Sequence, residues 1–298
     1  MHKHLPRHIQ LHVCGFMPLR QLLKLRLCSH EYLHLVKDAL HHTLYETVKP
    51  FMPKPEAFIS MLDDLDAFIG GDGALRFLLR DEPIVVDTLE IFTSNQECKY
   101  LIYHLTFVQG GYEIPCPFPN REASPSWLPM HGAESVTKMS TSKGNIHIYC
   151  TQSYQNDPLT PIARSSSTIH FSYVNGRHFG TGYPSLLFKH RALLSNGDPD
   201  DTEYTRLYIS RGFDIRLTAR AWPEFQGTTQ PCPAHRWSCT AQARSFSDRG
   251  ALACRLEPLV EPKLHSTVIW RLDCRPCGGP CLMDGLGILR HWQLFDSL

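Results

Sequence analysis

The sequence predicts an α+β protein in three parts: a helical N-terminal segment over residues 1–50, a central mixed sheet with helices over 51–225, and a Cys-rich, β-rich tail over 226–298 packed on the central domain. Three observations predict this. Apolar residues recur at helical spacing through the first 36 residues, among them Ile9, Val13, Leu19, Leu22, Leu23, Leu35 and Val36. The stretch Phe68 to Phe92 reads as turn, helix, turn and strand. Asn145 to Thr151 alternates, with Ile146, Ile148 and Cys150 on one face and His147 and Tyr149 on the other, as a half-buried strand does.

Taken in order, Pro6 and Pro18 mark helix starts, because proline fits the first turn. Pro50, Pro53 and Pro55 mark a linker. Glu56 to Ala67 follows as an amphipathic helix, with Asp63, Asp64 and Asp66 expected to face solvent. Gly70, Gly71 and Gly73 allow a tight turn, Ala74 to Arg80 suits a short buried helix, and Pro83 ends it. Ile84 to Phe92 is apolar and β-branched enough for a strand. Gln96 to Val108 reads as a helix closed by Gly110 and Gly111, and Tyr112 to Pro119 as a short edge strand. Phe188 to Leu194 reads as a basic helix whose Lys189, His190 and Arg191 either touch a phosphate or form a solvated face. Ala251 to Leu256 and Thr267 to Leu272 read as strands, and Ile288 to Phe295 as a last short helix or strand.

Composition narrows the function. At 298 residues the chain can bury a sizeable core, and its net charge of +1 supplies no field toward nucleic acid. No apolar run approaches the roughly 18 residues a membrane helix needs. Leu19 to Leu27 is interrupted by Arg20, Lys24 and Arg26, so no signal peptide is expected there. Eleven cysteines, an odd number, are then expected as reduced thiols in the cytoplasm or nucleus.

Two motifs carry a resemblance. The segment Leu5 to Val36 resembles an F-box, with Leu5, Pro6, Leu22, Leu23, Leu25, Arg26 and Ser29 on matching positions. The central stretch resembles an uncharacterised fungal family whose members join an F-box-like start to a degenerate nucleotidyltransferase-like domain through segments of the form ISGSxALRFLL and DLDIF. The likeness extends to Ser167, Thr168, Phe171 and Ser172, and to Tyr183, Pro184 and Leu186. It implies a nucleotidyltransferase-like fold in which Gly70 and Gly71 form the phosphate turn, and a Skp-type adaptor docking on residues 5–36 through Leu22, Leu23 and Leu25. Read without the resemblance, the same N-terminal segment is an amphipathic hairpin packing on its own domain.

The same register says the site is altered. Asp72 replaces a serine, Thr88 replaces the first strand acid and Glu90 the second. Nucleotidyl transfer needs magnesium held by hard oxygen ligands, usually carboxylates, and two acids at i and i+2 on a strand share a face. Thr88 is neutral, Asp87 lies on the opposite face from Glu90, no acid lies in Asn145 to Thr151, and Asp72 sets a negative charge where phosphate would bind. Asp72, Asp87 and Glu90 are therefore vestigial candidates, or, through a bulge at Asp87, ligands of one metal in a divergent enzyme.

In the tail, Cys232, His235 and Cys239 with Cys274, Cys277 and Cys281 have spacings compatible with structural zinc, and equally with ordinary buried cysteines. No other cofactor is expected. The sequence thus points to a non-catalytic, F-box-like interaction protein, a candidate ubiquitin-ligase substrate adaptor, with a divergent metal-dependent nucleotidyltransferase or a zinc-stabilised scaffold as the alternatives.

Overall fold

The computed structural model describes residues 5–115, 132–154, 156–195, 202–226, 233–257 and 264–273. They are mixed α/β, built around an eight-stranded mixed sheet. The described residues divide into two compact units interleaved along the chain. The first takes those within Met1–Ile162, Ser172–Gly180 and Ala253–His265, and the second those within Ala163–Phe171, Thr181–Leu252 and Ser266–Leu298.

The first unit opens with α1 (Arg7–Gly15), α2 (Leu19–Leu25), α3 (His30–Val48) and α4 (Pro55–Asp64). Pro6 and Pro18 occupy the position before α1 and α2, where a missing N–H costs nothing. Ser29 caps α3 by accepting the Tyr32 N–H at 3.2 Å. α3 packs on α1 and α2 and buries Leu35, Val36, Leu40 and Leu44, while Arg7 pairs with Asp38 to hold α1 against it.

Next come β1 (Phe68–Ile69), α5 (Gly71–Leu78), β2 (Thr88–Thr93), α6 (Asn95–Phe107), β3 (Tyr112–Glu113), β4 (Ala133–Ser140), β5 (Asn145–Thr151) and α7 (Thr160–Ala163). β6 (Ser172–Val174) and β7 (His178–Thr181) follow. Farther along the chain lie α8 (Pro184–Leu187), β8 (Arg191–Leu193), α9 (Thr202–Ser210), β9 (Asp214–Arg216), β10 (Arg244–Ser245), β11 (Leu252–Arg255) and β12 (Ile269–Trp270). The large sheet runs β11-β7-β6-β1-β2-β5-β4-β3. β2 and β5 pair in parallel, and β1 pairs antiparallel with both β2 and β6. The alternation read at Asn145 to Thr151 is the whole of β5.

Several elements differ from expectation for local reasons. The strand begins at Thr88, not Ile84: the Ile84 N–H turns back to the Glu82 carbonyl at 2.9 Å and Val85 is exposed, so the run after Pro83 never joins the sheet. The helix expected from Ala74 starts three residues earlier, on the glycine turn itself. Asp63 does not face solvent. It packs on the Gly176 turn, and burial raises its pKa to about 6, opposed by the nearby Arg177 charge and the Gly176 and Arg177 N–H groups. The cysteines are not all reduced: Cys98 on α6 and Cys150 on β5 form a disulfide across 52 residues, with Cα atoms 6.1 Å apart. Cys150 lies on the sheet face that α6 covers, a proximity to Cys98 that the parallel β2–α6–β5 arrangement creates.

In the second unit the expected basic helix Phe188 to Leu194 is instead β8, paired in parallel with β9. Arg191 is engaged rather than offered to a phosphate, pairing with Glu224 and lying over Trp222. The tail strands are short, and β10 pairs with β12. A fully buried guanidinium organises this part. Arg244 pairs with Asp248, donates to the Trp237 and Gly182 carbonyls at 2.8 and 2.7 Å, and stacks on Tyr183 and Trp237. A buried charge survives only when paired and hydrogen-bonded in this way.

Candidate functional site

β1 delivers the chain to Gly70, whose N–H donates to the Glu90 carbonyl at 3.0 Å and whose open Cα lies against the Phe92 ring. Gly71 has φ +52°, a left-handed conformation that favours glycine, and starts α5. A Cβ at Gly71 would sit 1.8 Å from Glu90 Oε2. The Glu90 carboxyl therefore rests directly on the turn.

The register explains why. Strand alternation sends Thr88, Glu90 and Phe92 to one face of the sheet, and parallel pairing sets His147 beside Glu90 and Tyr149 beside Phe92. Tyr149 donates its hydroxyl to Glu90 Oε1 at 3.1 Å and stacks on Phe92, with centroids 4.8 Å apart and planes 10° from parallel. Lys138 of β4 continues the row beyond His147. Burial raises the Glu90 pKa to about 7. The Tyr149 hydrogen bond lowers it, and the neighbouring Asp72 charge raises it further. Burial and then the Glu90 charge push the Tyr149 phenol well above its ordinary value, so it stays a donor. Burial, with Lys138 adding to it, lowers the pKa of His147.

Of the three acids singled out in the sequence, Asp72 and Glu90 lie close enough to interact, while Asp87 is exposed and lies just outside β2. Among the described residues no group of three His, Cys, Asp or Glu side chains is arranged to hold a metal. The position where a third strand acid was sought is filled by His147 and Tyr149. Their alternation was readable in the sequence, but their placement beside Glu90 was not. Of the zinc candidates, Cys239 is buried and outside any disulfide, and Cys232, Cys274, Cys277 and Cys281 lie outside the described residues, as does Ile288 to Phe295.

The N-terminal candidates are rearranged. Leu22 is buried, and Leu23 and Leu25 are half-buried, so the apolar stripe of α2 mostly turns inward. The open apolar surface is on α1 and its flanks: Leu5, Ile9, Val13 and Phe16 are 59%, 39%, 50% and 72% exposed. Ile9, Val13 and the C-cap residue Phe16, at spacings of four and three, share one face of α1, and Leu5 lies just before the helix. α6 presents a second outward face, of Tyr100, Tyr103 and Phe107.

Compared with protein-family models, with curated proteins and with solved structures, the chain matches none of them. No helix among the described residues is long and apolar enough to cross a membrane.

Proposed function

We propose that this chain is a non-catalytic interaction module, an F-box-like protein that docks a Skp-type adaptor through its first helices and could thereby recruit a target to a ubiquitin ligase. The observation that carries the reading is the exposed α1 stripe, Leu5, Ile9, Val13 and Phe16. Contiguous exposed apolar surface is costly in water and marks interfaces, and helix-in-groove recognition uses side chains at this spacing. No acidic residue precedes Glu31 in the sequence, and the one acid paired to α1, Asp38 of α3, is matched by Arg7. The docking face proposed is thus α1 rather than the α2 leucines. The reading also has support from Glu90, which fills the glycine turn with the chain's own carboxyl.

The test is size-exclusion chromatography of the full chain with a purified Skp-type adaptor. A 1:1 complex that the Val13→Asp, Phe16→Asp variant fails to form supports the reading. Separate elution of the unaltered chain and the adaptor would refute it.

One observation favours a second reading, a divergent metal-dependent nucleotidyltransferase: Asp72 and Glu90 interact beside the Gly71 turn. Titration with ATP and magnesium separates the two, since micromolar, metal-dependent binding belongs only to the enzyme.

A further inference from the structure

We propose that Cys98 and Cys150 form a reversible thiol–disulfide latch that fastens the start of α6 to the end of β5, and so steadies the Tyr149–Glu90 pair one residue away. The paired Cα atoms, 6.1 Å apart, lie within the span a disulfide bridges. Among the described residues Cys14, Cys28 and Cys254 stand outside this disulfide, and Cys28 is exposed. The pair is one the fold itself brings together; where the surround keeps thiols reduced, the disulfides that do form are commonly transient or sensing.

The two sulfurs differ in reach. Cys98 lies at the margin of burial in the first turns of α6. Cys150 is fully interior. An incoming dithiol thiolate attacks Cys98 Sγ, the Sγ–Sγ bond breaks, and Cys150 leaves as a thiolate and takes a proton. The reagent's second thiol then attacks its own sulfur in the mixed disulfide, releasing Cys98 as a thiol. The protein disulfide is reduced by two electrons and the dithiol is oxidised to a cyclic disulfide; a small-molecule disulfide reverses the sequence.

Reduction loosens the junction without dissolving it, because other ties remain. The Asn95 N–H donates to Thr151 Oγ1 at 3.2 Å, the Asn95 side chain donates to Glu134 Oε2 at 2.9 Å, and Ser94 caps α6 through the Glu97 N–H.

The test combines non-reduced peptide mapping with hydrogen exchange on the full chain, with and without dithiothreitol under native conditions. A Cys98–Cys150 cross-linked peptide is expected, lost on reduction and regained with oxidised glutathione. Exchange over residues 95–107 and 145–151 is expected to rise about tenfold on reduction, with Cys98→Ser exchanging like reduced protein whether or not dithiothreitol is present. The latch is refuted if both cysteines alkylate freely in untreated protein, if the bond yields to dithiothreitol only after denaturation, or if reduction leaves exchange unchanged. Wild-type protein with and without reductant decides the matter even if Cys98→Ser does not fold.

Discussion

The glycine turn and the α1 face are opposites. At the turn, Gly71, Glu90, Tyr149 and Phe92 satisfy one another: the carboxyl sits on the backbone, the phenol donates to the carboxyl, and the two rings stack. On α1 and its flanks, Leu5, Ile9, Val13 and Phe16 stand exposed among the described residues. The difference teaches where function is to be sought. A closed site has its polar groups spent internally, whereas an open apolar face retains free energy of burial, about 25 cal/mol for each Å² covered, for a partner to release.

Four perturbations sharpen or break this contrast, taken from the largest effect down. Reducing Cys98–Cys150 reopens a 52-residue loop in the unfolded chain, which by chain entropy lowers stability by about 4 kcal/mol. A urea midpoint that falls with reductant in the wild type and not in Cys98→Ser is the expected result. Gly71→Ala strains a left-handed position and drives a methyl into Glu90, for a loss of about 3 kcal/mol. Adding Glu90→Ala removes the clash and recovers part of that loss, giving a favourable coupling in the double-mutant cycle.

Third, Glu90 sets a pH dependence. Its folded pKa, about 7, exceeds the unfolded carboxylate value, so between roughly pH 4.5 and 7 the native state binds the extra proton and stability falls as pH rises. Below that window the carboxyl is protonated in both states and contributes nothing; above it the full cost is present. Glu90→Gln is therefore expected to be more stable than wild type at pH 8 by about 3 kcal/mol at most, with the advantage fading toward pH 5. Asp63, raised to about 6, keeps a similar slope in the variant at lower pH. Smallest in stability is Val13→Asp with Phe16→Asp on the open face, expected to move the unfolding midpoint by less than about 0.5 kcal/mol. A large loss there would mean that the α1 face is packed after all.

The sequence made legible what depends on short spacing. β5 was readable from its alternation, α6 from its periodicity with Gly110 and Gly111 behind it, and the glycine turn from three glycines within four residues. The mixed α/β class followed from these. What stayed hidden depends on which strands meet. Tyr149 reaches Glu90 only because β5 lies parallel to β2, and Cys150 meets Cys98 only because α6 crosses between them. Asp63 was misjudged for the same reason, since the β6–β7 turn that covers it lies more than a hundred residues away. On α1 and α2 the leucine pattern marked apolar faces correctly but could not say which one α3 would cover, and α3 took Leu19 and Leu22.

The most direct measurement of the central claim is a calorimetric titration of a purified Skp-type adaptor into the full chain and into its Val13→Asp variant. The account predicts saturable 1:1 binding by the unaltered chain and a loss of about 30-fold or more in affinity for the variant, the effect of about 2 kcal/mol at a buried anchor. Equal affinity in both, or no heat from the unaltered chain, would contradict it.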